Sequence, residues 1–407
     1  MAERMKTVTV SKRAELAARG GHPWIYGSEI ESVSEGIAPG DIVRVLSRKG
    51  KFIGSGFYNP VSKISIRLIS TNANDTFDRA FWKRRMAYAV DYRLQVMRPE
   101  DYDCMRLVFG EADQVPGLTV DRFGDVLSVQ ILSLGAELRK EEILDSLIEI
   151  LRERSLPVSC VYERNDVKIR ELEGMEEGKG FYKSERLDPA LEKTQVDIVE
   201  NGIRYTVDVK HGQKTGFFLD QKYNRLAAAG IARGRHVLDC FTHTGAFALN
   251  AAKGGAASVT ALDISQEAVD MAAHNAAING LTVTAKEADV FDFLTDLDQK
   301  KNHDYDYIIL DPPAFTKSGD TVRNAFRGYK EINYRAMKIL PRGGYLATCS
   351  CSHFMSEELF VKMVKEAARD AGVTLRQIEF RQQAPDHPIL MTVPETYYLK
   401  FFLFQVV

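Results

Sequence analysis

The sequence predicts an α/β chain: a doubly wound, mostly parallel Rossmann-like sheet in the C-terminal half, preceded by a small β module and a mixed α+β segment. Three observations lead there. From about residue 195 onward, short apolar runs alternate with amphipathic stretches of 10–15 residues, the rhythm of βαβ units. Residues 1–75 instead read as short strands broken by turns. Finally, 407 residues with 45% hydrophobic and 27% charged side chains suffice for two or three folded domains and exclude a mainly disordered chain.

The elements follow in order. Asp41–Val45 mixes polar and apolar positions as a half-buried strand does, and Ser47–Gly50 turns the chain. Phe52–Tyr58 resumes as a strand softened by glycine, and Ile64–Ile69 is another, giving a small module of barrel type. Phe77–Met97 is helical, with Phe77, Phe81, Met86, Ala89, Val90 and Leu94 recurring on one face. Val126–Ile131 and Val158–Tyr162 are strands, Leu138–Arg152 an amphipathic helix, and Glu173–Gly180 a polar, Gly-rich turn. A boundary falls near residue 190, so the predicted domains are 1–75, 76–190 and 191–407. Beyond it, a hairpin-like Ile203–Val209 leads into strands at His236–Cys240, Ser258–Leu262, Val283–Glu287, Tyr307–Leu310 and Gly344–Ser350. Helices at Ala246–Lys253, Gln266–Asn279, Tyr329–Leu340 and Ser356–Ala371 alternate with them, and the chain closes on the very apolar Tyr398–Val406.

Composition excludes several classes. Five scattered cysteines make no disulfide framework, and no CxxC pair or His-rich tract points to a metal. No apolar run reaches membrane-spanning length and no signal peptide opens the chain, so a cytoplasmic protein is expected. The net charge is −2, but residues 1–70 hold 11 Lys/Arg against 6 Asp/Glu, a local balance of +5 that leaves −7 for the rest. A basic front module fits a polyanion contact. The sequence leaves the oligomeric state open, a homodimer included.

In an open α/β sheet, ligands bind beyond the carboxyl ends of the strands. Asp239-Cys240-Phe241-Thr242-His243-Thr244-Gly245 lies at such an end. It lacks GxGxxG spacing, so a dinucleotide pyrophosphate fits poorly; Asp239, Thr242 and Gly245 suit a compact zwitterion such as the methionine end of S-adenosylmethionine (SAM). Asp263 ends the next strand, 24 residues on, at the position where an acid holds ribose hydroxyls. Ser265 is the better helix N-cap there, which leaves Asp263 for a ligand. Asp289, after the third strand, is placed to accept from an adenine amino group.

The other half of the sheet carries the reactive groups. Asp311-Pro312-Pro313-Ala314-Phe315 follows the fourth strand; two prolines stiffen the turn that holds Asp311, and Phe315 can stack on a planar base. Thr348-Cys349-Ser350-Cys351-Ser352-His353 ends the fifth. If the strand extends that far, Cys349 and Cys351 share a face; Cys351 lies nearer the mouth and is the better candidate nucleophile, with His353 a candidate base. Cys240 and Cys349 read as buried small hydrophobes. Carbon 5 of cytosine accepts a methyl group only after a thiolate adds at carbon 6, and hydrogen bonding at ring nitrogen 3, where Asp311 would serve, eases that addition.

These motifs resemble the SAM-dependent ribosomal RNA large-subunit methyltransferases of the RlmI type. The resemblance spans His22–Tyr26, Arg106–Arg122, Tyr162–Gly174, Lys210–Gln221, Asp311–Phe315, Arg327–Asn333, Cys349–Ser352 and Ala384–Pro388. It implies an N-terminal PUA domain, a central α+β domain and a class I methyltransferase domain with a seven-stranded sheet. The implied activity is formation of 5-methylcytidine in 23S ribosomal RNA. Cys351 aligns with the family nucleophile, and Cys349 stands where that motif has Phe. Lys214–Gln221 resembles the strip that folds over SAM, with Phe217 and Gln221 touching it. Lys12, Arg13, Arg19 and Trp24 would contact RNA, although Trp24 reads somewhat better as core packing; Tyr329 and Lys330 join Phe315 on the substrate side. In one respect the chain departs from two-cysteine RNA cytosine-5 methyltransferases: DPPAF contains no second cysteine, so no base is assigned for the carbon-5 proton. Two competing readings are a guanine or exocyclic-amine methyltransferase without covalent catalysis and a non-catalytic RNA-binding assembly factor.

Overall fold

The protein is described by a computed structural model covering residues 6–316 and 319–407. It divides into two compact units. The first comprises the chain up to Ile198 with Thr206–Leu219 and Pro385–Thr396; the second comprises Val199–Tyr205, Asp220–Ala384 and Tyr397–Val407.

In the first unit, the module expected to be of barrel type is a six-stranded sheet. Its order is Trp24–Ile25, Ile66–Ser70, Phe52–Tyr58, Ile42–Ser47, Thr7–Val10, Ile30–Val33, and the two outermost strands do not pair with each other. Ile42–Ser47 alternates half-buried and buried positions, sending Val43 and Val45 into a core with Val8, Val10, Ile25 and Ile66. Within this stretch Lys12–Arg19 is a helix rather than a strand, started by Ser11, whose hydroxyl accepts from the Ala14 N–H. A second sheet is ordered Gly178–Phe181, Cys160–Asn165, Val126–Ile131, Leu118–Phe123, Cys104–Phe109. Here the expected turn at Glu173–Gly180 is corrected. Gly178–Phe181 pairs antiparallel with Tyr162–Asn165, because an edge strand needs only backbone hydrogen bonds that glycine supplies. Helices Arg79–Val96 and Lys140–Glu153 complete the unit.

The second unit holds a seven-stranded sheet built from β1 (His236–Cys240), β2 (Ser258–Asp263), β3 (Thr284–Glu287), β4 (Tyr307–Leu310), β5 (Tyr345–Ser350), β6 (Leu375–Arg381) and β7 (Lys400–Val406). Their order is β3-β2-β1-β4-β5-β7-β6; the pairs among β1–β5 are parallel, and β7 is antiparallel to both neighbours. The helices are α1 (Lys222–Ala229), α2 (Ala246–Lys253), α3 (Gln266–Ile278), α4 (Val290–Gln299), α5 (Val322–Ile339) and α6 (Glu357–Ala371). Strand alternation divides the core in two. Leu238, Ile308, Leu346 and Phe402 point to the α5–α6 side, while Val237, Ile309, Ala347 and Phe401 point to the α1–α2 side. All four residues of β4 are fully buried, each contributing about 1.5–3 kcal/mol of hydrophobic stabilisation.

Several boundaries differ from expectation. α5 begins at Val322, seven residues before the predicted Tyr329: Val322, Ala325, Phe326 and Tyr329 stand at i, i+3, i+4 and i+7, so the apolar stripe starts a full two turns earlier than expected. β6 was not expected: LRQIEFR is mostly polar because it forms the sheet's edge. β5 stops at Ser350, so Cys351 lies in the loop beyond it, and the shared-face argument for the two cysteines lapses.

Candidate cofactor and active site

The β1–β2 register, Asp239↔Ala261 and Cys240↔Leu262, brings the loop after β1 beside Asp263. Phe241 and His243 adopt positive φ (64° and 51°), so the backbone folds sharply above the strand. Gly245, with φ 84°, opens α2; a Cβ there would lie 2.7 Å from Leu249 Cδ1 and 3.0 Å from Ala272 Cβ, so α2 and α3 close over it only because it is glycine.

The carboxylates hold this loop. Asp239 Oδ2 accepts from Thr242 Oγ1 (2.6 Å) and from the Ala248 N–H (2.9 Å). Asp263 accepts from the His243 N–H (2.8 Å) and the Ser265 N–H (3.1 Å), while Ser265 Oγ caps α3. Asp289 is exposed and is the N-cap of α4, its Oδ1 accepting from Phe291 and Asp292 N–H. Asp239 is fully buried, and burial pushes its carboxyl up to about 7, with the Thr242 hydrogen bond opposing. Among the described residues its Oδ1 has no hydrogen-bond partner, and neither has the buried Thr244 Oγ1. An orphaned carboxyl oxygen in this loop fits a ligand that brings a donor or positive charge, as the amino group and sulfonium of SAM do.

A second cluster lies at the ends of β4 and β5. The register Leu310↔Thr348 puts Asp311 beside Cys349. Gln221 Nε2 donates to Asp311 Oδ1 (3.0 Å), and Asn224 Nδ2 donates to Gln221 Oε1 (2.6 Å), which fixes the way the amide points. Burial pushes Asp311 up to about 6; Asp220 adds to this, while Arg225, Gln221 and the Cys349 thiol oppose it. Cys349 is fully buried and its thiol is pushed well up by burial and by Asp311. Cys351 is half-buried, and none of the five cysteines is in a disulfide. Ser352 Oγ donates to the Thr316 carbonyl (3.0 Å), tying this loop to the one after β4. His353 is exposed, with Nδ1 3.4 Å from the Tyr397 carbonyl.

The remaining expected residues fall elsewhere. Phe315 is half-buried among Tyr329 (4.6 Å between centroids), Phe291 (6.0 Å) and Phe241 (6.5 Å). Tyr329, expected on the substrate side, is fully buried, and its hydroxyl accepts from Ser350 Oγ (3.2 Å). Lys330 pairs with Asp370 (2.6 Å) and Glu366 (3.7 Å). In the first unit, Phe217 is 4% exposed. Lys12, Arg13 and Arg19 line one short helix and pair with Glu15 or Glu29, so part of their charge is balanced. Trp24 Nε1 donates to Glu111 (2.9 Å), and the Arg67 guanidinium lies 6.0 Å from its ring. Sequence reasoning missed Asn224, which carried no motif, and Lys400, whose signal was a lone cation inside YLKFFLFQVV.

A mostly parallel seven-stranded sheet with its last-paired strand reversed, and acids at the ends of β1, β2 and β4, defines a SAM-dependent methyltransferase of class I. In keeping with this, the family model for S-adenosylmethionine-dependent methyltransferases matches residues 185–405, and that for a PUA-like domain matches residues 8–71. The chain is 37% identical over 402 residues to the ribosomal RNA large subunit methyltransferase I of Escherichia coli O139:H28, covering 98% of this chain and 99% of that one. It matches the Klebsiella pneumoniae protein of the same name at 37% identity, covering 98% of each. The chain therefore belongs to the ribosomal RNA large subunit methyltransferase I family. Two solved structures share the fold at TM-score 0.81, covering 99% of this chain and 100% of theirs: a Streptococcus mutans protein (22% identical) and SMU.776 complexed with SAH (21% identical). Among the described residues, no helix is long and apolar enough to cross a membrane.

Proposed function

We propose that this protein methylates carbon 5 of a cytidine in 23S ribosomal RNA, in the cytoplasm, with Cys351 as the covalent nucleophile. The observation behind this reading is the pairing of β4 with β5. Asp311 and Cys349 leave the sheet side by side, and Cys351, two residues further on, is the first sulfur with exposed surface. SAM, when bound, supplies an electrophilic methyl group. Asp239, Asp263 and Asp289, with Thr242, Gly245 and Gln221, line its side of the mouth; Phe217 and the basic residues Lys12, Arg13, Arg19 and Lys330 serve the reading as cofactor or RNA contacts.

Cys351 Sγ bonds to carbon 6, while Asp311, protonated, hydrogen-bonds ring nitrogen 3. Carbon 5, made electron-rich, takes the methyl group as the methyl–sulfur bond breaks. A base then takes the carbon-5 proton, and the Cys351–carbon 6 bond breaks to restore the ring. The test is methyl transfer from labelled SAM to ribosomal RNA from a strain lacking the enzyme, followed by nucleoside mapping. Label on 5-methylcytidine, and a covalent adduct with RNA containing 5-fluorocytosine, are expected. Label on guanine or on an exocyclic amine would replace this reading with a non-covalent one, and no label with no SAM binding would favour an assembly factor.

The same site predicts a pH dependence of cofactor binding. A cation beside Asp239 favours its ionised form, whereas burial alone holds it protonated up to about pH 7. SAM affinity is therefore expected to rise as pH climbs through 6 to 7 and to level off above, by up to about tenfold per unit on the steep part. Titration calorimetry in buffers of different ionisation heat should show proton release that Asp239→Asn abolishes. Stability of the ligand-free protein carries the opposite sign. Because Asp239 is raised above its unfolded value, its contribution is present at low pH and is lost as pH passes about 7.

A further inference from the structure

Lys400 is a buried cation whose environment the cofactor and acid residues above leave unexplained. Lys400 is 1% exposed and begins β7, the strand otherwise made of Phe, Leu, Val and a single Gln. Burying an ammonium group is costly unless an anion accompanies it. No carboxylate lies within ion-pair distance of Lys400 among the described residues. Two of its three donors reach carbonyls, Ser352 O at 2.6 Å and Tyr398 O at 2.8 Å. Its cross-strand partner is Ser350. The ammonium group is thus bound to the residue after Cys351, from a strand position paired to the residue before it.

We propose that Lys400 is the positioning residue that holds the Cys351 thiolate, its charge serving as the counter-ion that the buried site otherwise lacks. The proposal rests on the reading of Cys351 as nucleophile and deepens it. The groups facing Lys400 are few. The Cys351 sulfur and the Glu357 carboxylate both favour its charged form, against burial, which as the larger effect lowers it to about 8. Glu357 is engaged by the Tyr397 hydroxyl (3.0 Å), and the Tyr397 ring lies 5.9 Å from the ammonium nitrogen. On the flanking β6, Glu379 and Arg381 pair with each other. Cys351 and Glu357 are therefore the negative groups open to Lys400, with Cys351 the stronger of the two. A thiolate attacks without prior loss of a proton, so a nearby fixed cation raises the reactive fraction at neutral pH.

The test reads the thiol directly. Iodoacetamide labelling of the Cys351 peptide, followed by mass spectrometry across pH 5–10, gives its titration midpoint. In Lys400→Met the midpoint is expected to rise by about one unit or more, with labelling at pH 7 about tenfold slower. Lys400→Arg, which keeps the charge, should restore most of the difference, and a merely structural role would not move the midpoint. Equal midpoints in wild type and Lys400→Met would overturn the proposal. Should Lys400→Met fail to fold, linkage supplies a second measurement on a loop variant. The Lys400 ammonium group, followed by nitrogen NMR, should titrate at lower pH in Cys351→Ala than in wild type, and an unchanged midpoint would equally overturn it. Full turnover by Cys351→Ser would remove the nucleophile reading while leaving the alkylation midpoints, and thus the Lys400 coupling, measurable.

Discussion

Cys351→Ser is expected to lower methyl transfer by at least about 10³-fold while leaving SAM affinity within about twofold. The difference between the two side chains is one atom, and Cys351 is half-buried in a loop beyond β5, so the exchange creates no cavity and little strain. Stability should fall by about 1.4 kcal/mol, the worth of one pKa unit of coupling to the buried Lys400 ammonium group. What changes is nucleophilicity. A hydroxyl ionises only far above the pH at which a thiol does, and a weakly ionised group cannot add to carbon 6. Single-turnover kinetics with saturating RNA isolate this step from binding. The adduct with 5-fluorocytosine RNA should vanish in the same variant. Cys349→Ser is the control. That thiol is fully buried against Asp311 and Gln221, and a more polar hydroxyl there should perturb the mouth without removing a nucleophile. Retention of more than about a tenth of the rate by Cys351→Ser would remove covalent catalysis from this protein.

How much of this was legible in the sequence follows from which forces act locally. The parallel core strands were readable because burial on both faces demands runs such as VLDC and YIIL, and β1 and β4 lie where the pattern put them. Ser265 as a cap was readable because capping chemistry is local. The edge strands β6 and Gly178–Phe181 were not, since an edge strand is recruited by its neighbour's unpaired backbone and leaves little mark on composition. The acids at the strand ends stood out as residue types, but their partners did not. That Gln221 would face Asp311 and that Ser350 would donate to Tyr329 depend on contacts 90 and 21 residues apart along the chain, whereas the cap that Asp289 makes on α4 is local and was passed over in favour of an adenine contact. Cys351 illustrates the same limit. Its value as a candidate rested on lying nearer the mouth than Cys349, and its exposure follows from the strand ending one residue earlier.

Asp311→Asn should reduce turnover by about 10²–10³-fold and, more tellingly, change the shape of the pH–rate profile. Asp311 is held near 6 by burial, so a substantial fraction is protonated just where most carboxyls are ionised. A donor to ring nitrogen 3 must carry its proton, so an acid role makes kcat/KM fall as pH rises through about 6. Ionisation of Cys351 pulls the other way, and the two produce a bell whose apparent midpoints belong to the pair rather than to either group. Asparagine keeps the shape and one N–H donor but cannot titrate. The falling limb should therefore disappear in Asp311→Asn, leaving only the rise with thiol ionisation. The opposite sign would be equally informative. If the wild-type rate rises through pH 6, and that rise is what Asp311→Asn removes, then the ionised carboxylate is the working form. Asp311 would then be the base for the carbon-5 proton, the role for which the loop after β4 offers no cysteine. A falling limb that survives the substitution would exclude Asp311 from proton transfer altogether. Its hydrogen bond from Gln221 would then be read as support for the loop rather than as part of the chemistry.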